Sequence, residues 1–239
     1  MSDQARAELA PGGVLRAGIN MANALLVTGR TEDGDPDGVA PDVARAIAER
    51  LGVPLQLVPF DSPGELADAA GAGVWDIGLI GAEPQRAEKI AFTEAYAEIE
   101  ATYLVPAGSS IATIEEVDRP GVRIATPGRS AYGLWLDRNI EHAALVRSGS
   151  GQEAFRQFVA EQLDVLAGLR SGLVEIAEEL PGARILDGRF ATVQQAVGTA
   201  KANRAGAAFL RGFVDEARAS GLVTTLIARH GVEGKLSAA

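Results

Sequence analysis

Short apolar runs alternate with stretches of helical period along most of the chain. Val14-Leu15-Arg16-Ala17-Gly18-Ile19 reads as a first strand, and residues 41–51 as a helix with Val43, Ile47 and Leu51 on one face and Gly52 as its stop. Residues 54–59 then read as a strand, residues 65–72 as a short helix, and Asp76-Ile77-Gly78-Leu79-Ile80 as an apolar run of buried-strand length. This βαβαβ order predicts a parallel sheet covered on both faces.

The pattern then starts again, with strands at 122–125, 144–146 and 163–169 and helices at 131–140 and 152–160. Leu163-Asp164-Val165-Leu166 echoes Trp75-Asp76-Ile77-Gly78, as though one architecture had been laid down twice. Residues 96–105 alternate like an extended strand long enough to carry the chain from one unit to the next, and residues 189–197 offer a second extended segment for the return. Helices are expected at 204–220 and 223–230. The implied organisation is a discontinuous first lobe, 1–98 with 195–239, and a second lobe, 99–194, with a ligand expected between them.

Hydrophobic residues make up 47% of the 239 positions and aromatics only 5%, so the core must be built from Ala, Val, Leu and Ile, as in α/β proteins with buried parallel strands. The formal net charge of -10 works against nucleic acid and anionic membranes as partners. Without cysteine there are no disulfides, thiolate metal sites or cysteine nucleophiles. The first ten residues lack the basic start and apolar run of a secretory signal, so the chain as written is expected in the cytoplasm, or in the periplasm if a signal has been removed. No apolar run approaches the roughly 18 residues of a membrane span.

Several segments together resemble the extracellular solute-binding family that serves polar amino-acid importers. They are Gly13-Val14-Leu15-Arg16-Ala17-Gly18, Gly38-Val39-Ala40-Pro41-Asp42-Val43-Ala44-Arg45-Ala46-Ile47-Ala48, Trp75-Asp76-Ile77, Arg86-Ala87-Glu88-Lys89-Ile90-Ala91-Phe92-Thr93-Glu94-Ala95-Tyr96, Asp118-Arg119-Pro120-Gly121-Val122-Arg123 and Gly128-Arg129-Ser130. Their order and spacing, over almost the whole chain, carry the likeness. It implies an α/β, two-lobed type II periplasmic-binding-protein clamshell, each lobe a mostly parallel sheet flanked by helices, joined by two hinge strands.

The resemblance gives Arg86 the role of a two-pronged clamp on a ligand carboxylate, chemistry that suits a planar guanidinium. Spacing alone also allows a surface arginine after Pro84. Ser130, at a helix start, is implied as a further donor, and an ordinary helix cap accounts for it equally well. The departures matter too. Gly81-Ala82-Glu83 stands where family members carry hydroxyls, Leu169 where an aspartate receives the ligand ammonium, and Asn20-Met21-Ala22 where an aromatic stacks. The expected ligand therefore has a carboxylate but no obligatory α-amino group, with Arg170, Arg129 or Asn20 available to a second polar or anionic end. Arg170 also reads as a solvated helix-start residue.

No phosphate-binding glycine motif opens a helix, and His142 and His230 are too few and too far apart for a recognisable metal site. Gly128-Arg129-Ser130-Ala131-Tyr132-Gly133 misses the Gly-x-Ser-x-Gly elbow by one residue. With none of that chemistry found, the function that the resemblance implies is binding, by a monomer that needs no cofactor and serves an ABC-type permease. Two alternatives stand beside it: an enzyme like the cyclohexadienyl dehydratases, which would need a general-acid carboxylate where Leu169 stands, and a cytosolic sensor or carrier uncoupled from transport.

Overall fold

A computed structural model describes residues 3–239. The chain forms two compact units, Met1–Glu98 with Gln194–Ala239, and Ile99–Val193.

In the first unit, helix α1 (Asp3–Leu9) precedes β1 (Leu15–Asn20), the two-residue strands β2 (Gly29–Arg30) and β3 (Pro36–Asp37), helix α2 (Val39–Leu51), strand β4 (Leu55–Phe60), helix α3 (Pro63–Asp68) and strand β5 (Ile77–Gly81). The chain then leaves along β6 (Ile90–Val105). Helix α2 buries Val43, Ile47 and Leu51 and ends where Gly52 turns left-handed at φ 64°. Each such side chain is worth about 1.5–3 kcal/mol when fully buried. Helix α3 starts earlier than its apolar pattern predicts, because Ser62 accepts a hydrogen bond from Glu65 N and Pro63 pre-sets the first helical φ.

The second unit runs β7 (Arg123–Pro127), α4 (Ala131–Asn139), β8 (Ala144–Ser148), α5 (Gly151–Ala160), β9 (Val165–Leu169), α6 (Arg170–Glu179) and β10 (Arg184–Ile185). Glu115 and Glu116 lie on a single 3₁₀ turn, where Glu116 accepts from Ala112 N and Thr113 N. The return is β11 (Ala191–Ala200), followed by α7 (Arg204–Ala219), α8 (Leu222–Arg229) and β12 (Ser237–Ala238).

Both units share one topology. In the first, β1 lies between β4 and β5, parallel to both, and β11 adds antiparallel to β5. In the second, β7 lies between β8 and β9, parallel to both, and β6 adds antiparallel to β9. The first strand of each unit is thus central, and the strand order reverses beside it.

The aspartate of the sequence echo has the same task twice. Asp76 accepts from Arg16 N at 2.9 Å and pairs with its guanidinium at 2.6 Å; Asp164 accepts from Arg123 N at 2.8 Å and faces that guanidinium at 3.4 Å. In each case the carboxylate before the third strand ties down the start of the central strand. The first pair is the more enclosed, and its hydrogen bond raises the Arg16 pKa further.

Helix α1, which the sequence pattern did not single out, is fastened to α7. Asn203, at the N-cap position of α7, makes no side-chain cap, and Glu8 supplies one from outside by accepting from Gly206 N at 2.8 Å. Glu8→Ala should therefore cost about 1 kcal/mol, the usual value of a lost cap, read as a lower midpoint in urea unfolding.

Candidate functional site

Ligands of open parallel sheets bind outside the carboxyl ends of the strands, at the point where strand order reverses. In the first unit that point is the end of β1 and β5. Asn20 closes β1, with its Oδ1 accepting from Ala22 N at 3.2 Å in a tight turn, and Gly81 closes β5. Arg86 follows on a 3₁₀ turn, Arg86–Glu88. It is no surface arginine: only 6% of it is exposed. Its Nη1 donates to the Gly81 carbonyl at 2.7 Å, which fixes the guanidinium against the end of β5. Asn20, Gly81 and Arg86 are thus gathered at one strand end. Glu83, which the sequence reading noted only as a missing hydroxyl, is buried beside them in the chain at 9% exposure.

In the second unit the corresponding point is the end of β7 and β9. Ser130 caps α4: its Oγ accepts from Gly133 N at 2.9 Å and donates to the Pro127 carbonyl at 2.9 Å. The hydroxyl is therefore engaged locally as donor and acceptor. Arg129, beside it, is exposed. Tyr132, in the first turn of α4, has its phenol pushed up to about 12 by burial, against the lowering effect of a hydrogen bond with Ser130. Thr126, near the end of β7, is fully buried with no partner for Oγ1, a polar group that composition and spacing did not mark.

Leu169 ends β9 and holds the N-cap position of α6, where its side chain has nothing to offer the helix. Arg170 begins that helix but is not the solvated residue its position allows. Its Nε donates to Glu100 Oε2 at 2.8 Å, its Nη2 to the Gly188 carbonyl, and Arg189 Nη1 donates to Glu100 Oε1 at 2.8 Å. The β6–β9 register explains the meeting, since Ala101 lies opposite Leu169 and Glu100 comes next to it.

Hydrogen bonds from Arg170 first and Arg189 second hold the Glu100 carboxyl below its ordinary value of 4.5. A carboxylate with a depressed folded-state pKa stabilises the fold above its unfolded pKa and loses that contribution as pH falls through the folded value. Glu100→Gln should therefore flatten the acid side of the stability curve. Comparing urea midpoints at about pH 7 and about pH 3 reads the effect, which stays below about 1 kcal/mol because the triad is part-exposed.

Sequence spacing kept the histidines apart, but the fold brings His230 Nε2 to 3.0 Å from Asp42 Oδ2, and ligand atoms of Asp37, Asp42 and His230 lie within 4.8 Å of one another. Asp42 also meets Arg229 at 3.1 Å and Arg45 at 3.5 Å, and two guanidiniums on the shared carboxylate oppose a cation there. A cavity of about 650 Å³ lies in the second unit among Pro106, Ile111, Val122, Phe158, Leu163 and Leu180. It sits at the amino ends of β7 and β9, where no buried charge converges on it, so the carboxyl ends remain the better candidate.

A model of the bacterial extracellular solute-binding proteins, family 3, matches residues 15–233. No curated protein matches the sequence. Among solved structures, a mutant of ArgBP from T. maritima is 20% identical with a TM-score of 0.75, covering 96% of this chain and 100% of its own. An amino acid ABC transporter substrate-binding protein from Streptococcus pneumoniae, bound to L-arginine, is 18% identical with a TM-score of 0.74, covering 93% and 96%. An ancestral amino acid-binding protein, a precursor of cyclohexadienyl dehydratase, is 20% identical with a TM-score of 0.74, covering 94% and 98%. At this identity the solved structures establish the fold, that of type II periplasmic binding proteins. The extracellular setting of the family gives a cytoplasmic location no support.

Proposed function

Since the chain belongs to the bacterial extracellular solute-binding proteins, family 3, we propose that it is the binding component of an ABC-type importer, taking a small carboxylate, an amino acid or a related organic acid. The observation that carries this reading is Arg86, a buried guanidinium fixed by the Gly81 carbonyl at the carboxyl end of β5. An arginine keeps its charge at any working pH, and burial strengthens its pairing with a carboxylate. In the second unit Ser130 Oγ is already engaged, so what the start of α4 offers an anion is its backbone N–H groups. The protein works as a monomer that delivers its solute to a membrane permease.

A thermal-shift screen of carboxylates and amino acids tests the reading, because a ligand that binds only the folded state must raise the unfolding temperature. Stabilisation by at least one carboxylate, lost in Arg86→Ala, is the expected result.

The ancestral neighbour gives a second reading its foothold, a dehydratase acting on a cyclohexadienyl acid. Such chemistry needs a proton donor at the leaving hydroxyl, and the end of β9 carries Leu169. We therefore favour binding without catalysis. Incubation with prephenate should leave it unchanged; dehydration at an enzymatic rate would reverse the choice.

A further inference from the structure

We infer that Gln195 is a specificity-determining residue that reads the α-substituent of the carboxylate held by Arg86, favouring α-hydroxy and α-keto acids over plain acids and amino acids. The inference rests on the reading of the chain as a solute-binding protein and uses residues of the first unit alone.

Gln195 lies in β11, directly opposite Gly81, the last residue of β5. Ala82 N donates to the Gln194 carbonyl at 2.7 Å, so residues 82 and 194 form a hydrogen-bonded pair. Gly81 and Gln195, next along the ladder, form the closer kind, with Cα atoms about 4.5 Å apart and backbone polar groups pointing away from the partner strand. The Gly81 carbonyl accordingly turns from β11 and accepts from Arg86 Nη1 at 2.7 Å. Opposite residues of a pair share one face of the sheet, and Gly81 brings no side chain to it. The Gln195 side chain thus stands beside bare backbone, with Arg86 fixed to that backbone on the side away from β11. A strand glycine often marks a place where a ligand approaches closely.

The state of the amide is a second, independent observation. Only 4% of Gln195 is exposed, and its side chain makes no hydrogen bond with any described residue. Among the described residues the polar side-chain atoms sealed without a partner are Tyr96 Oη, Thr126 Oγ1 and Gln157 Oε1, and those of Gln195 are not with them. The little of Gln195 that reaches open space therefore includes its polar end. Its stem is buried, the fold offers its carboxamide nothing to bond, and the head stays open beside the anchor of Arg86.

A carboxamide donates through Nε2 and accepts through Oε1, so it matches a hydroxyl or keto oxygen on the carbon next to a carboxylate. A hydrogen in that place leaves the amide unpaired once the solute excludes water, which is costly. An ammonium would bond Oε1, but a neutral amide cannot balance its charge, and the nearby guanidinium of Arg86 repels it. Glu83, the acid nearest in sequence, is buried and already partnered.

Calorimetric titration with matched series tests this. One is propionate, L-lactate, pyruvate and L-alanine; another is isocaproate, α-hydroxyisocaproate, α-ketoisocaproate and L-leucine; a third is glutarate, α-hydroxyglutarate, α-ketoglutarate and L-glutamate. Within each series every member offers a carboxylate to Arg86 and only the α-substituent changes. In the series bound best, the hydroxy or keto acid should bind at least about tenfold more tightly than the plain acid and the amino acid, as one hydrogen bond made or lost in an enclosed site allows. Gln195→Met keeps the length of the side chain and removes the amide, so the preference over the plain acid should fall at least about tenfold. Gln195→Glu keeps the shape and adds the missing negative charge, so the ratio of amino acid to hydroxy acid affinity should rise at least about tenfold, a gain that a misfolded variant could not give. Tightest binding of the amino acid by the unaltered protein would give the α-position to another acid such as Glu83 and overturns the inference. Preferences unmoved in both variants, or binding of no member, overturn it as well and leave the solute-binding reading standing. Stabilisation by no carboxylate in the thermal-shift screen overturns both.

Discussion

Replacing Arg86 with alanine is expected to weaken the binding of any carboxylate solute by about two to three orders of magnitude. Removing one partner of a buried, hydrogen-bonded charge pair costs about 2–5 kcal/mol, and each 1.4 kcal/mol is about a factor of ten. The high end of that range applies to an enclosed guanidinium, and Arg86 is 6% exposed. A guanidinium at the protein surface would give far less, because water screens it. The substitution also strands the Gly81 carbonyl, which now accepts from Nη1 at 2.7 Å, so part of any loss could reflect a disturbed end of β5. Arg86→Lys separates the two effects. It keeps the charge and loses the planar fork, so binding should fall about tenfold if the solute is held by two parallel bonds. Calorimetry reads both variants. Affinity unchanged in Arg86→Ala would remove this residue from the site and with it the main support for the proposed function.

Much of the fold was legible because parallel α/β units announce themselves through local pattern. Apolar runs such as Asp76-Ile77-Gly78-Leu79-Ile80 can only be buried strands when helices of clear amphipathic period flank them, and Gly52 marks a helix end through its own backbone freedom. The repeated aspartate was visible as an echo but not explicable. Its reason, an acid reaching back to a backbone N–H at the start of the central strand, joins positions separated by 60 residues in one unit and 41 in the other. Helix α1 escaped notice because a seven-residue amphipathic segment has little period to detect, and its stability comes from α7.

The site was legible in its residue types and not in their partners. Arg86 could be placed after the β5 strand, yet only the fold shows that it is buried. Arg170 could be read as a ligand group or as a solvated helix start; the contact that decides its state is with Glu100, and no local rule connects residues 70 positions apart. Register does connect them, because β6 and β9 pair with Ala101 opposite Leu169. Ser130 shows the reverse case. The local rule for a helix cap was sufficient, since Oγ takes the Gly133 N–H as caps do, and the hydroxyl's own proton goes to Pro127.

That loop predicts a reversal of sign between two identical substitutions. Alanine is favoured over glycine inside a helix by about 1 kcal/mol, so Gly212→Ala, in the exposed middle of α7 with nothing near the added carbon, should raise stability by about that amount. Gly133 is also helical, in the first turn of α4, and propensity alone would forecast the same gain. Its added carbon, however, would lie 2.2 Å from the Pro127 carbonyl oxygen and 2.9 Å from Ser130 Oγ. The oxygen belongs to the backbone at the end of β7, so it cannot turn aside as a side chain does. Either the 127–130 loop lifts and Ser130 loses its cap, or α4 tilts off the sheet and exposes Leu136. Overpacking of this kind costs about 1–3 kcal/mol and the lost cap about 1 kcal/mol more, against the propensity gain. Gly133→Ala should therefore destabilise by about 1–3 kcal/mol while Gly212→Ala stabilises, a difference readable from two urea curves. Equal gains would mean that the 127–130 loop is free to move and that the start of α4 is not the fixed donor set proposed for the solute.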